Sequence, residues 1–231
     1  PAMPPSFPPS PPSVVCINGL CGSPVIACTT PNDNTTRLDV SKATIIHSNL
    51  GGQGPDTLAP PTLVYRGIGQ TPEGRSFDLL VSNVTAYAPS DPAQNGLSSS
   101  GHLGQISSAP GHFVRLHLAF VDTEDGSPVH LERVPFSLLD IDDEEFWMSG
   151  FESVVRTQDT EVDVTYVGRG EVTVHTSRAT SVADPTDPSS LTAQQRQRAV
   201  MFVFSDVSDI SLGVRVSESS AEPLFSFAGE S

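Results

Sequence analysis

Seven of the first thirteen residues, PAMPPSFPPSPPS, are proline, and this run limits the possible folds more than any other feature of the chain. Proline fixes φ and has no backbone N–H donor, so the run fits neither a helix interior nor an inner strand. We therefore expect residues 1–13 to form an extended polyproline II arm. The core and any binding site must come from the rest of the 231-residue chain.

Beyond the arm, short apolar segments alternate with Gly, Pro, Asn and Asp, which is typical of strands joined by turns. The segments predict ten strands, over residues 43–47, 63–67, 77–81, 114–120, 136–142, 163–167, 172–176, 200–204, 210–216 and 224–228. One short helix is predicted over residues 191–198, where Thr192 and Gln195 match a capping box. The chain is therefore predicted to be all-β, with a jelly-roll-like β-sandwich over residues 38–231 and a closed barrel as the alternative.

Three cysteines, Cys16, Cys21 and Cys28, lie within residues 14–37, which we interpret as a linker containing an edge strand. Clustered cysteines are typical of a disulfide staple in an oxidising compartment. Three thiols allow three different single disulfides, and each leaves one thiol over. A zinc site is disfavoured because it would need a fourth ligand and no histidine lies nearby.

Charge and hydropathy limit the partners. The formal net charge is −15, whereas nucleic acids and anionic membranes both attract a basic face. No apolar run is long enough to span a bilayer. We expect neither nucleic-acid binding nor membrane insertion. Two glycosylation sequons, at Asn34 and Asn83, join the cysteines in predicting a secreted protein with attached glycans.

The acidic segment 136–145 is the strongest candidate site. On a strand, Asp140 and Asp142 share one face at a spacing of about 6.6 Å. Calcium accepts roughly six to eight oxygen ligands in loose geometry, and Glu152, after the next turn, is a further candidate ligand. The segment therefore predicts a structural calcium site, with a solvated acidic turn as the alternative.

A catalytic carboxylate pair is a third interpretation of the same segment. One tryptophan and three tyrosines are few for the sugar cleft of a glycosidase, since such clefts usually use several aromatic rings. No serine lies in a Gly-x-Ser-x-Gly elbow. We expect no enzymatic activity.

Several short motifs follow one another in a set order. They are SNLGGQGPD at 48–56, LVYRGIG at 63–69, GRSFDLLV at 74–81, the acidic segment, ADPTDPSSLTAQQ at 183–195 and LFSFAG at 224–229. This ordered set resembles secreted β-sandwich modules in large extracellular proteins of algae and other protists. The resemblance implies a calcium-stabilised structural or adhesive module in which Asp140, Asp142 and Glu152 match the acidic positions and Asp78 joins them. The crowded Asp143-Glu144-Glu145 departs from the module, which tends to have small residues there.

The arm carries a second resemblance. Its PPSPP segment is similar to the hydroxyproline-rich, O-glycosylated segments of algal wall and flagellar-hair (mastigoneme-like) glycoproteins. The candidate sites that this implies for hydroxylation and O-glycosylation are Pro4, Pro5, Pro8, Pro9, Pro11 and Pro12.

These observations favour a structural subunit of an extracellular glycoprotein fibril or coat, which forms homo-oligomers or filaments through its N-terminal region. Residues 23–29 or 14–18 are expected to pair with the open sheet edge of a neighbouring subunit, or to fold back on their own sheet. The alternative function is a calcium-dependent, lectin-like carbohydrate-binding module, with Phe146 and Trp147 beside the ion. A hydrolase is the third candidate.

Overall fold

The structure is a computed structural model that describes residues 15–17, 20–22, 34–142, 144–176, 182–220 and 223–229. Between residues 34 and 229, the described chain forms two antiparallel sheets that pack face to face around an apolar core. This confirms the predicted all-β sandwich. No described helix is long and apolar enough to cross a membrane.

Strands make up most of the regular structure. The strands are β1 Val15–Ile17, β2 Leu20–Gly22, β3 Thr44–Ser48, β4 Leu63–Gln70, β5 Ser76–Asn83, β6 Gly96–Leu97, β7 Gly104–Ser107, β8 Phe113–Asp122, β9 Leu131–Leu139, β10 Glu144–Ser149, β11 Ser153–Val155, β12 Val162–Gly168, β13 Glu171–Thr176, β14 Val200–Val207, β15 Asp209–Val216 and β16 Leu224–Ala228. The helices are α1 Ala193–Gln197 and four 3₁₀ turns at Val40–Lys42, Leu50–Gly52, Pro92–Gln94 and Pro188–Ser190.

Sheet I has the order β12-β13-β10-β15-β8-β5-β4-β3, and sheet II has the order β11-β14-β9-β16-β7-β6. From β8 to β11 the chain crosses between the sheets at every step. As a result, β8-β15-β10-β13 lies opposite β9-β14-β11, which is the strand order of a jelly roll. One strand departs from this pattern, because β12 pairs with β13 in sheet I instead of extending sheet II beyond β11.

Alternation along the strands builds the core. In β8, Val114, Leu116, Leu118 and Phe120 are fully buried, whereas the residues between them are partly exposed. Successive side chains of a strand point to opposite faces, so sheet I presents every second residue of β8 to its outer face.

The short helix matches the prediction. Thr192 Oγ1 accepts a hydrogen bond from Gln195 N at 3.2 Å, and Gln195 Oε1 accepts one from Thr192 N at 2.8 Å. These two bonds form the predicted capping box.

The predicted strand over residues 136–142 is wrong at its C-terminal end. Strand β9 begins earlier and ends at Leu139, and Asp140 has φ +58°, in the left-handed region. A residue with that backbone cannot continue a strand. Asp140 and Asp142 therefore do not lie on an extended strand at i and i+2.

The acidic segment contains an inner strand rather than only a turn. Strand β10, from Glu144 to Ser149, lies between β13 and β15, and Glu144, Phe146 and Met148 are buried. The alternation of Phe146 and Met148 with Trp147 and Ser149 is the signal that the prediction passed over.

The N-terminal predictions lie largely outside the described residues. This holds for the polyproline arm with its six candidate prolines and for Cys28. Strands β1 and β2 form a hairpin whose backbone register places Cys16 opposite Cys21. The choice among the three disulfides stays a prediction.

Candidate functional site

An arginine organises the acidic loop after β9. Arg198, at the C-terminal end of α1, has a fully buried side chain. Its Nη1 donates to Asp142 Oδ1, and its Nε lies 3.4 Å from Glu161 Oε2. A guanidinium therefore stands beside the Asp142 carboxylate, where the sequence predicted calcium. The capping signal predicted α1, but no local signal marks Arg198, because its acidic partners are 37 and 56 residues away.

The other predicted calcium ligands lie elsewhere. Glu152 N donates to Val203 O, and its carboxylate accepts a hydrogen bond from Ser205 Oγ. Ser205 is paired with Arg133, near the start of β9, whereas Asp140 follows the end of that strand. Leu139 lies six residues beyond Arg133 along β9, which corresponds to about 20 Å.

Asp78 accepts a backbone hydrogen bond at a bulge between β4 and β5. Its Oδ1 accepts hydrogen bonds from Gly67 N at 2.8 Å and Thr123 Oγ1 at 2.6 Å, and Arg66 Nε lies 3.6 Å from Oδ2. Gly67 has φ +68°, as the bulge requires. The carboxylate is thus already satisfied by its own neighbours.

The four predicted ligands do not converge on one ion position. Within the described ranges, no group of three or more His, Cys, Asp or Glu residues is arranged to hold a metal. Calcium stabilisation stays a prediction, and in this geometry it concerns the loop that carries Asp140 and Asp142.

Glu144 is the most perturbed acid of the loop. Burial, together with the nearby Asp142 and Asp140 carboxylates, raises its pKa to about 8, although the hydrogen bond from Asp142 N opposes the shift. A buried carboxyl favours its neutral form because the charged form loses hydration. Glu144 thus adds pH dependence to the same loop.

A second cluster lies on the outer face of sheet I. Phe146 and Met148 point into the core, so Glu145 and Trp147 point outward, and Trp147 is partly exposed. The predicted lectin site, with both Phe146 and Trp147 beside an ion, is therefore not formed. The residues around Trp147, which we call the outer-face cluster, are Phe113, Arg115, Glu145, Trp147, Glu171 and Arg215.

Strand pairing brings this cluster together. Trp147 is opposite Gly213, and Gly213 is opposite Arg115, while Arg215 is paired with both Glu145 and Phe113. A Cβ atom on Gly213 would come within 3.0 Å of Trp147 and 3.2 Å of the Phe113 ring, so the glycine lets both rings lie over the sheet.

The two rings meet edge to face, with centroids 5.1 Å apart. The Arg215 guanidinium lies 5.5 Å from the Trp147 centroid and 5.9 Å from that of Phe113. Cation–π contacts of this kind hold an arginine over a ring and leave its N–H groups at the surface. Trp147 stands out in the sequence but the cluster does not, because the cluster forms only when four strands, β13, β10, β15 and β8, pair.

The sheet edges form a third feature. One lateral side of the sandwich is closed, because Ser48 Oγ in β3 donates to Asn95 O and Tyr65 Oη in β4 donates to Gly96 O. On the opposite side, β11 has three residues, but β12 has seven. Tyr166 and Val167 of β12 are more than half exposed.

The asparagines of the two sequons lie at the surface. Asn34 is exposed, and its Nδ2 donates to Glu132 Oε2. Asn83 is partly exposed, and its Nδ2 donates to Thr85 O at 2.9 Å. Glycosylation at either asparagine stays a prediction.

No protein-family model matches the chain, and no curated protein matches it. Similar solved structures include the adhesin domain of PrgB from Enterococcus faecalis, at 13% identity and TM-score 0.39, which covers 73% of this chain and 63% of that one. The N-terminal domain of the Streptococcus gordonii adhesin Sgo0707 has 11% identity and TM-score 0.48, with 84% and 52% covered. Glucan binding protein C of Streptococcus mutans has 10% identity and TM-score 0.38, with 72% and 56% covered.

The chain thus spans less than two thirds of each of these structures. At these identities and TM-scores, the function has to be argued from the chain's own residues. The resemblance to algal and protist modules stays a prediction.

Proposed function

We propose that the chain is a structural subunit of an extracellular glycoprotein fibril or coat, which assembles by strand addition to the free edge of β12. The observation that carries the proposal is the contrast among the four sheet edges. Strand β6 has two residues, β11 has three and β3 has five, whereas β12 has seven, with a bulge only near its end, between Tyr166 and Gly168. Among the edge strands of the two sheets that the structure describes, only β12 is this long.

The composition of β12 supports this role. Its sequence, VDVTYVG, has one charged residue, Asp163, and contains neither lysine nor proline, the residues that natural edge strands use most to prevent pairing. Arg156 Nη1 donates to Val162 O at 3.0 Å. Because backbone groups alternate between the two edges of a strand, Val164 and Tyr166 then direct N–H and C=O groups to the same outer edge.

The donor that we propose is residues 23–29 of a neighbouring copy. Their sequence, SPVIACT, carries no charge and is rich in strand-forming residues. The segment ends five residues before Asn34, which contacts Glu132 at the start of β9 in sheet II. Donor and acceptor are thus different segments of the chain, and a head-to-tail contact of that kind produces open filaments.

An extracellular location agrees with the clustered cysteines and the surface sequons, and the proposed role is not catalytic. Calcium is proposed as a stabiliser. At a free concentration of 100 times Kd, it would add roughly 2.7 kcal/mol to the free energy of unfolding. The test compares thermal melts in calcium and in EDTA, and identical melting temperatures would remove calcium from the proposal.

Light scattering and electron microscopy of the secreted protein test assembly. We expect filaments or large particles from the wild type and monomers after deletion of residues 1–30. Val167→Lys places a charge on the β12 edge and is expected to reduce assembly, whereas Val84→Lys is the matched control, because both valines are more than half exposed. A monomeric wild type, or unchanged assembly of Val167→Lys, would contradict strand addition at β12.

A further inference from the structure

The outer-face cluster has the shape of a small platform. Two partly exposed rings, Phe113 and Trp147, lie over Gly213 near the middle of sheet I. Their apolar area is far smaller than the roughly 800 Å² per partner of a standard protein interface, and charged groups surround it. A platform of this size suits a single flat ligand unit with an apolar face.

Hydrogen-bond donors and acceptors both lie beside the rings, on two arginines and two glutamates. Arg115 Nη2 is 2.9 Å from Glu171 Oε1, and Arg115 Nη1 is 3.4 Å from Ser211 Oγ. Arg215 Nη1 is 3.9 Å from Glu145 Oε2. These side chains are between about a quarter and a half exposed, so they are oriented by their partners and still meet solvent.

The charges of the cluster cancel. Two arginines are matched by two glutamates, so this surface is locally neutral on a chain whose net charge is −15. An anionic ligand would be repelled by Glu145 and Glu171, and a cationic one by Arg115 and Arg215. A neutral ligand that both donates and accepts hydrogen bonds meets neither penalty.

We propose that the outer-face cluster binds a neutral carbohydrate chain. The C–H face of a pyranose ring packs on Trp147 and Phe113. Its neighbouring hydroxyl groups accept hydrogen bonds from Arg115 and Arg215 and donate to Glu145 and Glu171, since guanidinium supplies only donors and carboxylate only acceptors. This site needs no metal ion, and it does not depend on assembly at β12.

Trp147 provides a direct probe, because the chain has one tryptophan. Tryptophan emission of the full chain is titrated with cellohexaose, laminarihexaose, mannohexaose and xylohexaose, each in calcium and in EDTA. We expect a saturable change with at least one hexaose, of equal size with and without EDTA. No change with any of the four would overturn the proposal.

Variants separate binding from folding. Arg215→Gln keeps the tryptophan and is expected to weaken binding at least tenfold. Ile46→Ala removes an exposed apolar side chain elsewhere on sheet I, in β3, and is expected to bind like the wild type. Equal affinity of Arg215→Gln and the wild type would refute the assignment. A polygalacturonate hexamer is titrated as an anionic comparison, and a response to it alone would refute the neutral class of ligand. Loss of the response in EDTA would instead indicate a metal-dependent site.

Discussion

Two clusters next to β10 contain arginine, which is buried in one cluster and exposed in the other. Arg198 has no exposed surface and lies between Asp142 and Glu161. Arg115 and Arg215 lie on the outer face with side chains 29% and 50% exposed. A buried guanidinium loses its hydration and must recover that free energy from its carboxylate partners, whereas an exposed one keeps most of its water.

This difference in burial indicates which cluster stabilises the fold. Arg198 joins the β9–β10 loop, the segment before β12 and the end of α1, three regions that are distant in sequence. The outer-face arginines lie on strands that already pair through their backbones. Exposed pairs of this kind contribute little to stability, which is consistent with the binding role that we propose for them.

The largest expected effect is the loss of Arg198. Arg198→Met should lower the free energy of unfolding by about 3 kcal/mol or more, because Asp142 and Glu161 would lose their cation in a largely buried site. Urea denaturation at pH 7 measures this. Arg196→Met, which changes an exposed arginine on the same helix, is the control. If both variants lose equal stability, the buried cluster does not stabilise the fold as described.

Glu144 is expected to make stability depend on pH within the same loop. Its pKa rises to about 8 in the folded state from 4.5, so the folded state holds a proton that the unfolded state has released between these values. The free energy of unfolding should therefore decrease as pH rises from 4.5 to 8, and below 4.5 the penalty is absent. At pH 7 the penalty is about 3 kcal/mol.

Glu144→Gln should remove this pH-dependent loss and stabilise the protein at pH 7, because the amide oxygen can still accept the hydrogen bond from Asp142 N. Denaturation at pH 5 and pH 8 measures the change. Glu145→Gln, on the outer side of the same strand, serves as the comparison. A wild-type stability that stays constant or rises between these pH values would argue against a neutral Glu144.

Loss of the capping box of α1, the helix that precedes Arg198, is expected to destabilise the fold less than loss of Arg198 itself. Thr192→Ala removes the acceptor for Gln195 N and should cost about 1 kcal/mol, typical of a lost N-cap. Differential scanning calorimetry measures the change, with Gln194→Ala on the exposed side of the helix as the control. A cost equal to that of Arg198→Met would mean that the helix end, and not the ion pair, carries the stability.

Local patterns in the sequence predicted the elements that depend on near neighbours. The alternation of residues 114–120 predicted β8, and the spacing of Thr192 and Gln195 predicted the cap of α1. Both signals arise within a few residues, so they survive in the sequence alone.

The parts that were missed depend on long-range pairing. Asp140 adopts a left-handed backbone that its sequence does not require, and Glu144 lies inside because β10 is an inner strand. The adjacent acids were interpreted as a calcium site, with a solvated turn as the alternative, and a buried acid was not expected because acids are seldom buried. The free edge of β12 and the row of Trp147, Gly213 and Arg115 are properties of sheet order, which no local pattern encodes.

The smallest expected effect is on the outer face. Arg215→Gln should change the free energy of unfolding by less than about 1 kcal/mol, because an exposed pair 3.9 Å apart and cation–π contacts at the surface contribute little. Urea denaturation beside Arg198→Met gives the comparison directly. A loss as large as that of Arg198→Met would make the outer-face cluster a structural element, and weaker carbohydrate binding by Arg215→Gln would then report unfolding. If Arg215→Gln is nearly as stable as the wild type, its weaker carbohydrate binding is explained by the lost contact with the ligand.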